Sequence, residues 1–135
     1  MFKPGESYVA QKYIDNPYLI DGLKFDFRVY CLIYGVDPLR MYLYREGIVR
    51  FATVKYTGAK KRNLDNLYMH LTNYAINKSS DAFVNSKEGE DDKGANKRAL
   101  SSVLQQIESK EQDVTAESLM TDIEDICVKT LLSCH

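Results

Sequence analysis

A chain of 135 residues that is 44% hydrophobic and 11% aromatic has the size and apolar content of one ordinary domain with a core. It has no apolar run of about 18 residues, and the start, Met1-Phe2-Lys3-Pro4-Gly5-Glu6, has no apolar stretch behind its charge. Neither a membrane span nor a signal peptide is therefore expected, and the reading is intracellular. A net charge of −1 disfavours nucleic acid, yet residues 1–80 hold 12 Lys/Arg against 7 Asp/Glu while residues 81–135 hold 6 against 12. A basic front half could steer an acidic partner, or it could be solvated surface.

In chain order, Tyr8–Ile14 is rich in β-formers and runs into Asp15-Asn16-Pro17, so a strand leading into a turn is expected. After Asp21-Gly22, residues 24–34 alternate: Phe25, Phe27, Val29, Cys31 and Ile33 stand between Lys24, Asp26, Arg28, Tyr30 and Leu32. Period two predicts a strand. Turns at Gly35-Val36-Asp37-Pro38 and Arg45-Glu46-Gly47 then lead into Leu39–Tyr44 and Ile48–Thr53, so residues 24–53 are predicted to form an antiparallel meander. Thr57–Asn66 is polar and reads as a loop, and 67–76 is ambiguous in type.

Residues 77–96 are dominated by Ser, Asp, Glu, Lys and Gly, with Phe83-Val84 as their one apolar pair, and are expected to be mobile. Leu100, Val103, Leu104 and Ile107 predict a helix, and Leu119, Met120, Ile123, Ile126, Cys127 and Leu131 a second, with Thr115 as N-cap and Glu117 in the first turn. That helix meets no Gly, Asn or Pro before His135, the pattern expected of a truncated longer chain. Cys31, Cys127 and Cys134 are odd in number and scattered, which predicts buried free thiols rather than disulfides or a zinc site.

The chemistry concentrates on Lys24, Asp26 and Arg28, whose i, i+2, i+4 spacing puts an ammonium, a carboxylate and a guanidinium on one strand face opposite Phe25, Phe27 and Val29. Triphosphate binding would explain each type, since Lys and Arg donate to phosphate oxygens while a carboxylate orients a cation or a ribose hydroxyl. A salt-bridged outer face explains them too. Arg45 and Arg50 flank the Glu46-Gly47 turn, and Arg50 could hold a carboxylate or be a surface cation. His70-Leu71-Thr72-Asn73 suits ligand hydrogen bonding, with a satisfied buried histidine as the competing reading. No Gly-rich phosphate loop, Ser/His/Asp set or metal-ligand pair is present to name the reaction.

Four ordered blocks do name a relative: Gln11-Lys12-Tyr13-Ile14, Leu19–Tyr30, Tyr44–Thr53 and Met69–Lys78. Together they resemble the motifs of the tubulin tyrosine ligase-like family over about residues 8–135, and Tyr74–Lys78 with Lys97-Arg98 look more like its glutamylating branch. The resemblance implies an α+β chain forming part of an ATP-grasp fold across 1–135, with an antiparallel meander, a loop at 77–96 and two helices. It implies ATP and Mg²⁺ as cofactors, tubulin or microtubules and free glutamate as partners, and a place on the microtubule cytoskeleton, the cilium or the basal body.

By position, the resemblance puts Gln11, Lys12, Tyr13 and Ile14 beside adenine, and Lys24 and Asp26 at ribose and phosphates. Thr72 and Asn73 would be further ATP contacts, Arg28 would sit at the transferring phosphate, and Arg50, Tyr74 and Lys97 would surround the incoming amino acid. The family's metal ligands would lie beyond residue 135 and the lysines of its first ATP subdomain before residue 1, which implies a piece inactive in isolation. Asp122, Glu124 and Asp125 read as a wet helix face. A short form that only docks on microtubules and a glycine-adding enzyme are the alternatives.

Overall fold

The computed structural model describes residues 3–85 and 92–134. Among these residues five strands and four α-helices follow in the order β1 (Phe25–Arg28), β2 (Cys31–Val36), β3 (Leu39–Leu43), β4 (Ile48–Phe51), α1 (Leu67–His70), α2 (Tyr74–Asn77), β5 (Lys97–Ala99), α3 (Leu100–Lys110) and α4 (Ala116–Leu132). A single 3-10 turn, Lys61–Asn63, interrupts the polar loop before α1.

The strands form two sheets, an antiparallel β1-β4-β5 sheet and a β2-β3 hairpin. This corrects the expected meander. The alternating run 24–34 divides at Val29-Tyr30, and β1 pairs with β4, which lies three strands later, rather than with its sequence neighbour. The division lets the hairpin leave the sheet, and Tyr44 N–H still donates to the Tyr30 carbonyl at its base, 2.9 Å. The peptide bond Asp37–Pro38 in the hairpin turn is cis.

The expected strand at 8–14 is absent: the segment has no regular structure, and its side chains are exposed. No neighbouring strand accepts its backbone hydrogen bonds among the described residues, so β-propensity alone does not make it a strand. β5 lies in a charged sequence without an apolar pattern and was not predicted. Of the expected mobile loop, residues 86–91 lie outside the described residues; at its two ends Asn77, Ala95 and Asn96 are buried.

The core sits between the β1-β4-β5 sheet and α3. Ile20, Val49, Phe51, Leu100, Val103, Leu104, Ile107 and Met120 are buried together, with Phe25, Phe27, Val29, Leu119 and Ile123 packed around them. Each fully buried aliphatic or phenyl group of this kind contributes roughly 1.5–3 kcal/mol. Helix α3 buries all four residues of its predicted stripe. Helix α4 starts where expected, with the Thr115 hydroxyl accepting from Ser118 N–H at 3.0 Å. Its stripe reaches the core only through Leu119, Met120 and Ile123, whereas Ile126 is 63% exposed.

Chain entry into β1 is set by the turn Asp21-Gly22. Both residues have positive φ, 55° and 77°, which glycine adopts freely and Asp tolerates. Ile20 and Leu23 close the turn through reciprocal backbone hydrogen bonds of 3.2 and 2.9 Å. The thiols are free as expected, but they are not buried: Cys31 and Cys134 are exposed and Cys127 is half-buried, because the hairpin and the end of α4 lie outside the core.

Candidate functional site

Antiparallel register places Asp26 opposite Arg50 and Arg50 opposite Lys97. Directly opposed residues share a face, so these three form a row across the sheet. The Arg50 guanidinium grips Asp26 with two prongs, Nε to Oδ1 at 3.1 Å and Nη2 to Oδ2. Donating to the Asp26 carboxylate raises the Arg50 pKa above its ordinary value, against a smaller opposing effect of burial. Next in the row, Lys97 Nζ stands 3.6 Å from the Tyr74 ring centroid, a cation–π contact that carries the row onto α2. The opposite face of the same strands is the core face, where Val49 pairs with Arg98.

Arg98 is a buried cation that is fully employed. Its Nε donates to Ala95 O at 3.1 Å and its Nη1 to Gln106 Oε1 at 3.3 Å, Nη2 lies 3.6 Å from Asp21, and the guanidinium covers the Phe51 ring at 4.1 Å. It locks β5 and α3 to the Asp21-Gly22 turn and is not available to a ligand.

Where the chain enters β1, Lys24 Nζ donates to Tyr13 Oη at 3.0 Å and to the His70 carbonyl at 3.2 Å. Nε2 of His70 lies 3.0 Å from the Asn63 carbonyl, which can only accept, so the proton sits on Nε2 and Nδ1 accepts from Tyr13 O–H at 2.7 Å. His70 is thus a satisfied, buried histidine that fixes Tyr13, and Tyr13 in turn fixes the Lys24 ammonium. Gln11, Lys12 and Ile14 are exposed in the extended segment around Tyr13, and their side chains hydrogen-bond nothing among the described residues.

Arg28, at the far end of β1, is exposed and makes no ion pair among the described residues. Its backbone is pressed against the Arg45-Glu46-Gly47 turn, where a Cβ on Gly47 would come within 2.6 Å of the Arg28 carbonyl. Arg45 reaches the other way, to Glu117 at 3.4 Å and Glu124 at 3.8 Å on α4.

Thr72 is half-buried and Asn73 exposed, and neither side chain is hydrogen-bonded among the described residues. Their position is set by Asn77, which sequence reasoning passed over. Asn77 Oδ1 accepts from Thr53 N–H and Thr53 O–H, both at 3.0 Å, while Nδ2 donates to Leu71 O at 2.8 Å and Asn73 O at 3.1 Å. An amide four residues after Asn73 in an otherwise small and apolar stretch was the available signal. Asn96 clamps the other side, donating to Ala52 O and accepting from Val84 N–H.

Glu46 was also missed as a functional part of the turn. Its Oε1 accepts from Gly47 N–H at 2.8 Å and Ser101 N–H at 3.1 Å, so it caps α3, whose own N-cap Ala99 has no side-chain acceptor. Burial pushes the Glu46 pKa up, but the hydrogen bonds from Ser101, Gly47 and Leu100 outweigh it and hold the carboxyl below the ordinary value.

Among the described residues no group of three or more His, Cys, Asp or Glu could hold a metal ion. Asp122 and Asp125 are exposed and Glu124 is half-buried, as a wet helix face requires. A groove of about 550 Å³ is lined by Tyr18, Phe25, Phe27, Ile107, Val114 and Leu119 with the carboxylates Asp26 and Glu111, and contains no Lys or Arg. The charged row, with Lys24 at the entry to β1 and Arg28 at its far end, lies outside this groove's cation-free lining apart from Asp26.

An α+β chain with one apolar sheet face and one cationic face is the class these observations define. The chain belongs to the tubulin-tyrosine ligase family, which it matches over residues 2–135. It is 50% identical over 130 residues to a Tetrahymena thermophila protein named "Probable beta-tubulin polyglutamylase", covering 96% of this chain and 11% of that protein. Tubulin polyglutamylases of Danio rerio and Homo sapiens are 47% and 49% identical over 133 residues, covering 98% of this chain and 16% of each relative. The chain therefore spans between about a tenth and a sixth of the length of these curated relatives.

Proposed function

We propose that this chain is the central piece of an ATP-dependent carboxylate–amine ligase of ATP-grasp type that adds glutamate to tubulin. The observation that carries the reading is the Asp26–Arg50–Lys97 row ending on Tyr74, within a chain 44–50% identical to proteins named tubulin polyglutamylases. Such a ligase phosphorylates an acceptor carboxylate with ATP, after which the amine of a free amino acid displaces phosphate.

Phosphoryl transfer spreads negative charge over oxygens, so the protein's part is neutralisation and positioning. Lys24, held in place by Tyr13 and the His70 carbonyl, would meet the nucleotide phosphates. Exposed Arg28 would face the transferring group, and the unengaged side chains of Thr72 and Asn73 would hydrogen-bond the nucleotide. Gln11, Lys12 and Ile14 stay accessible for adenine, Arg50 and Lys97 suit the two carboxylates of glutamate, and Tyr74 would wall that pocket. Mg²⁺ would be held by residues other than those described.

The test is turnover with tubulin, ATP and glutamate, comparing the complete ligase with residues 1–135 alone. Glutamate incorporation by the complete protein and none by the isolated chain is expected. Robust ligation by residues 1–135 would sink the central-piece reading, and incorporation of glycine in place of glutamate would sink the substrate assignment.

A further inference from the structure

Arg50 is the cation best placed to hold a substrate carboxylate, and its side-on edge is already taken. Asp26 occupies both Nε and Nη2, the two-pronged geometry in which a guanidinium binds a carboxylate. The pair is sheltered, with 20% of the Arg50 side chain and 35% of the Asp26 side chain exposed, and strand register holds the two residues directly opposite. An incoming carboxylate must either replace Asp26 or bind Nη1 and share the one guanidinium charge with it. Lys97, next in the row, faces the Tyr74 ring and makes no ion pair among the described residues. Asp26 is thus the one carboxylate of the described row, and moving it leaves two unopposed cations where a dianion would fit.

We infer that Asp26 is a stand-in for the substrate carboxylate, and that nucleotide binding opens the amino-acid pocket by drawing Asp26 off Arg50. This rests on the proposed assignment of Asp26 to the nucleotide and Arg50 to the amino acid. Charge then orders the substrates: nucleotide first, then an α-amino dicarboxylic acid. By linkage, the amino acid tightens the nucleotide by the same factor.

Calorimetric titration of the complete ligase with glutamate, with and without Mg²⁺ and a non-hydrolysable ATP analogue, tests the coupling. The analogue is expected to tighten glutamate about 5- to 50-fold, within the usual range of coupling between sites. Asp26→Asn should bind glutamate several-fold more tightly than wild type with nucleotide absent. Arg50→Ala should bind the analogue more tightly than wild type, the reverse of what losing a phosphate-facing cation would do. A wild-type glutamate affinity indifferent to the analogue, or an Asp26→Asn protein with weakened glutamate binding in its absence, overturns the inference while leaving the proposed function standing. A wild-type protein that binds no analogue overturns both. Thermal scans identify any variant that fails to fold, and the wild-type titration then decides alone.

Discussion

Strand β1 of the three-stranded sheet and strand β2 of the hairpin come from one continuous alternating stretch, residues 24–34, and meet opposite fates. In β1 and β4 the apolar positions Phe25, Phe27, Val49 and Phe51 join the core, leaving Asp26 and Arg50 on the other face. In the hairpin one face is open, with Leu32 61% exposed, Tyr34 70% and Tyr42 60%, while on the other Leu43 packs against the core and Cys31 and Ile33 lie beside Ile126 and Leu131 of α4. Alternation therefore specifies a strand and its two faces but says nothing about whether a second layer covers either of them. Helix α3 supplies that layer for the sheet, and among the described residues nothing supplies it for the Leu32-Tyr34-Tyr42 face of the hairpin.

The strongest way to break this comparison is to truncate both regions and measure urea denaturation. Phe51→Ala should destabilise by about 4 kcal/mol, the usual cost of an aromatic-sized cavity in a core. Asn77→Ala should cost about 2 kcal/mol, because it removes the hydrogen bonds of a buried amide, leaves the Leu71 carbonyl without its donor and loosens the segment carrying Thr72 and Asn73.

A smaller effect separates the two ends of the Arg45-Glu46-Gly47 turn by pH. The folded-state pKa of Glu46 is depressed, so its capping contribution is present above the ordinary glutamate value of 4.5 and is lost as pH falls through the folded value. Glu46→Gln should therefore be less stable than wild type by about 1 kcal/mol at pH 7, with the gap closing in acid; a gap independent of pH would remove the carboxylate from the cap. Smallest of all, Leu32→Ser and Tyr42→Ser should each change stability by less than about 0.5 kcal/mol. A loss comparable to that of Phe51→Ala would mean that the hairpin is covered in solution and that the contrast between the regions fails.

Much of this was legible from local pattern. The helix stripe Leu100-Val103-Leu104-Ile107 and the Thr115 cap need only neighbours three and four residues apart, and both were read directly. The charged face of β1 was legible for the same reason, since alternation places Lys24, Asp26 and Arg28 without reference to the rest of the chain. β5 was not legible, because Lys97-Arg98-Ala99 has neither alternation nor β-propensity and is a strand only through its pairing with β4. The 8–14 segment failed in the opposite sense, with the right residues and no partner strand.

By itself, then, the sequence determined which residue types alternate on β1, where α3 and α4 begin, and, through its ordered motifs, the family. Only the tertiary structure decided that Asp26 closes on Arg50 from the adjacent strand, that His70 and Tyr13 steady Lys24, and that Asn77 holds the Thr72-Asn73 segment on Thr53. The division has a physical cause: periodicity records which way a side chain points relative to its own backbone, whereas a hydrogen-bond partner tens of residues away depends on how the strands are paired and packed.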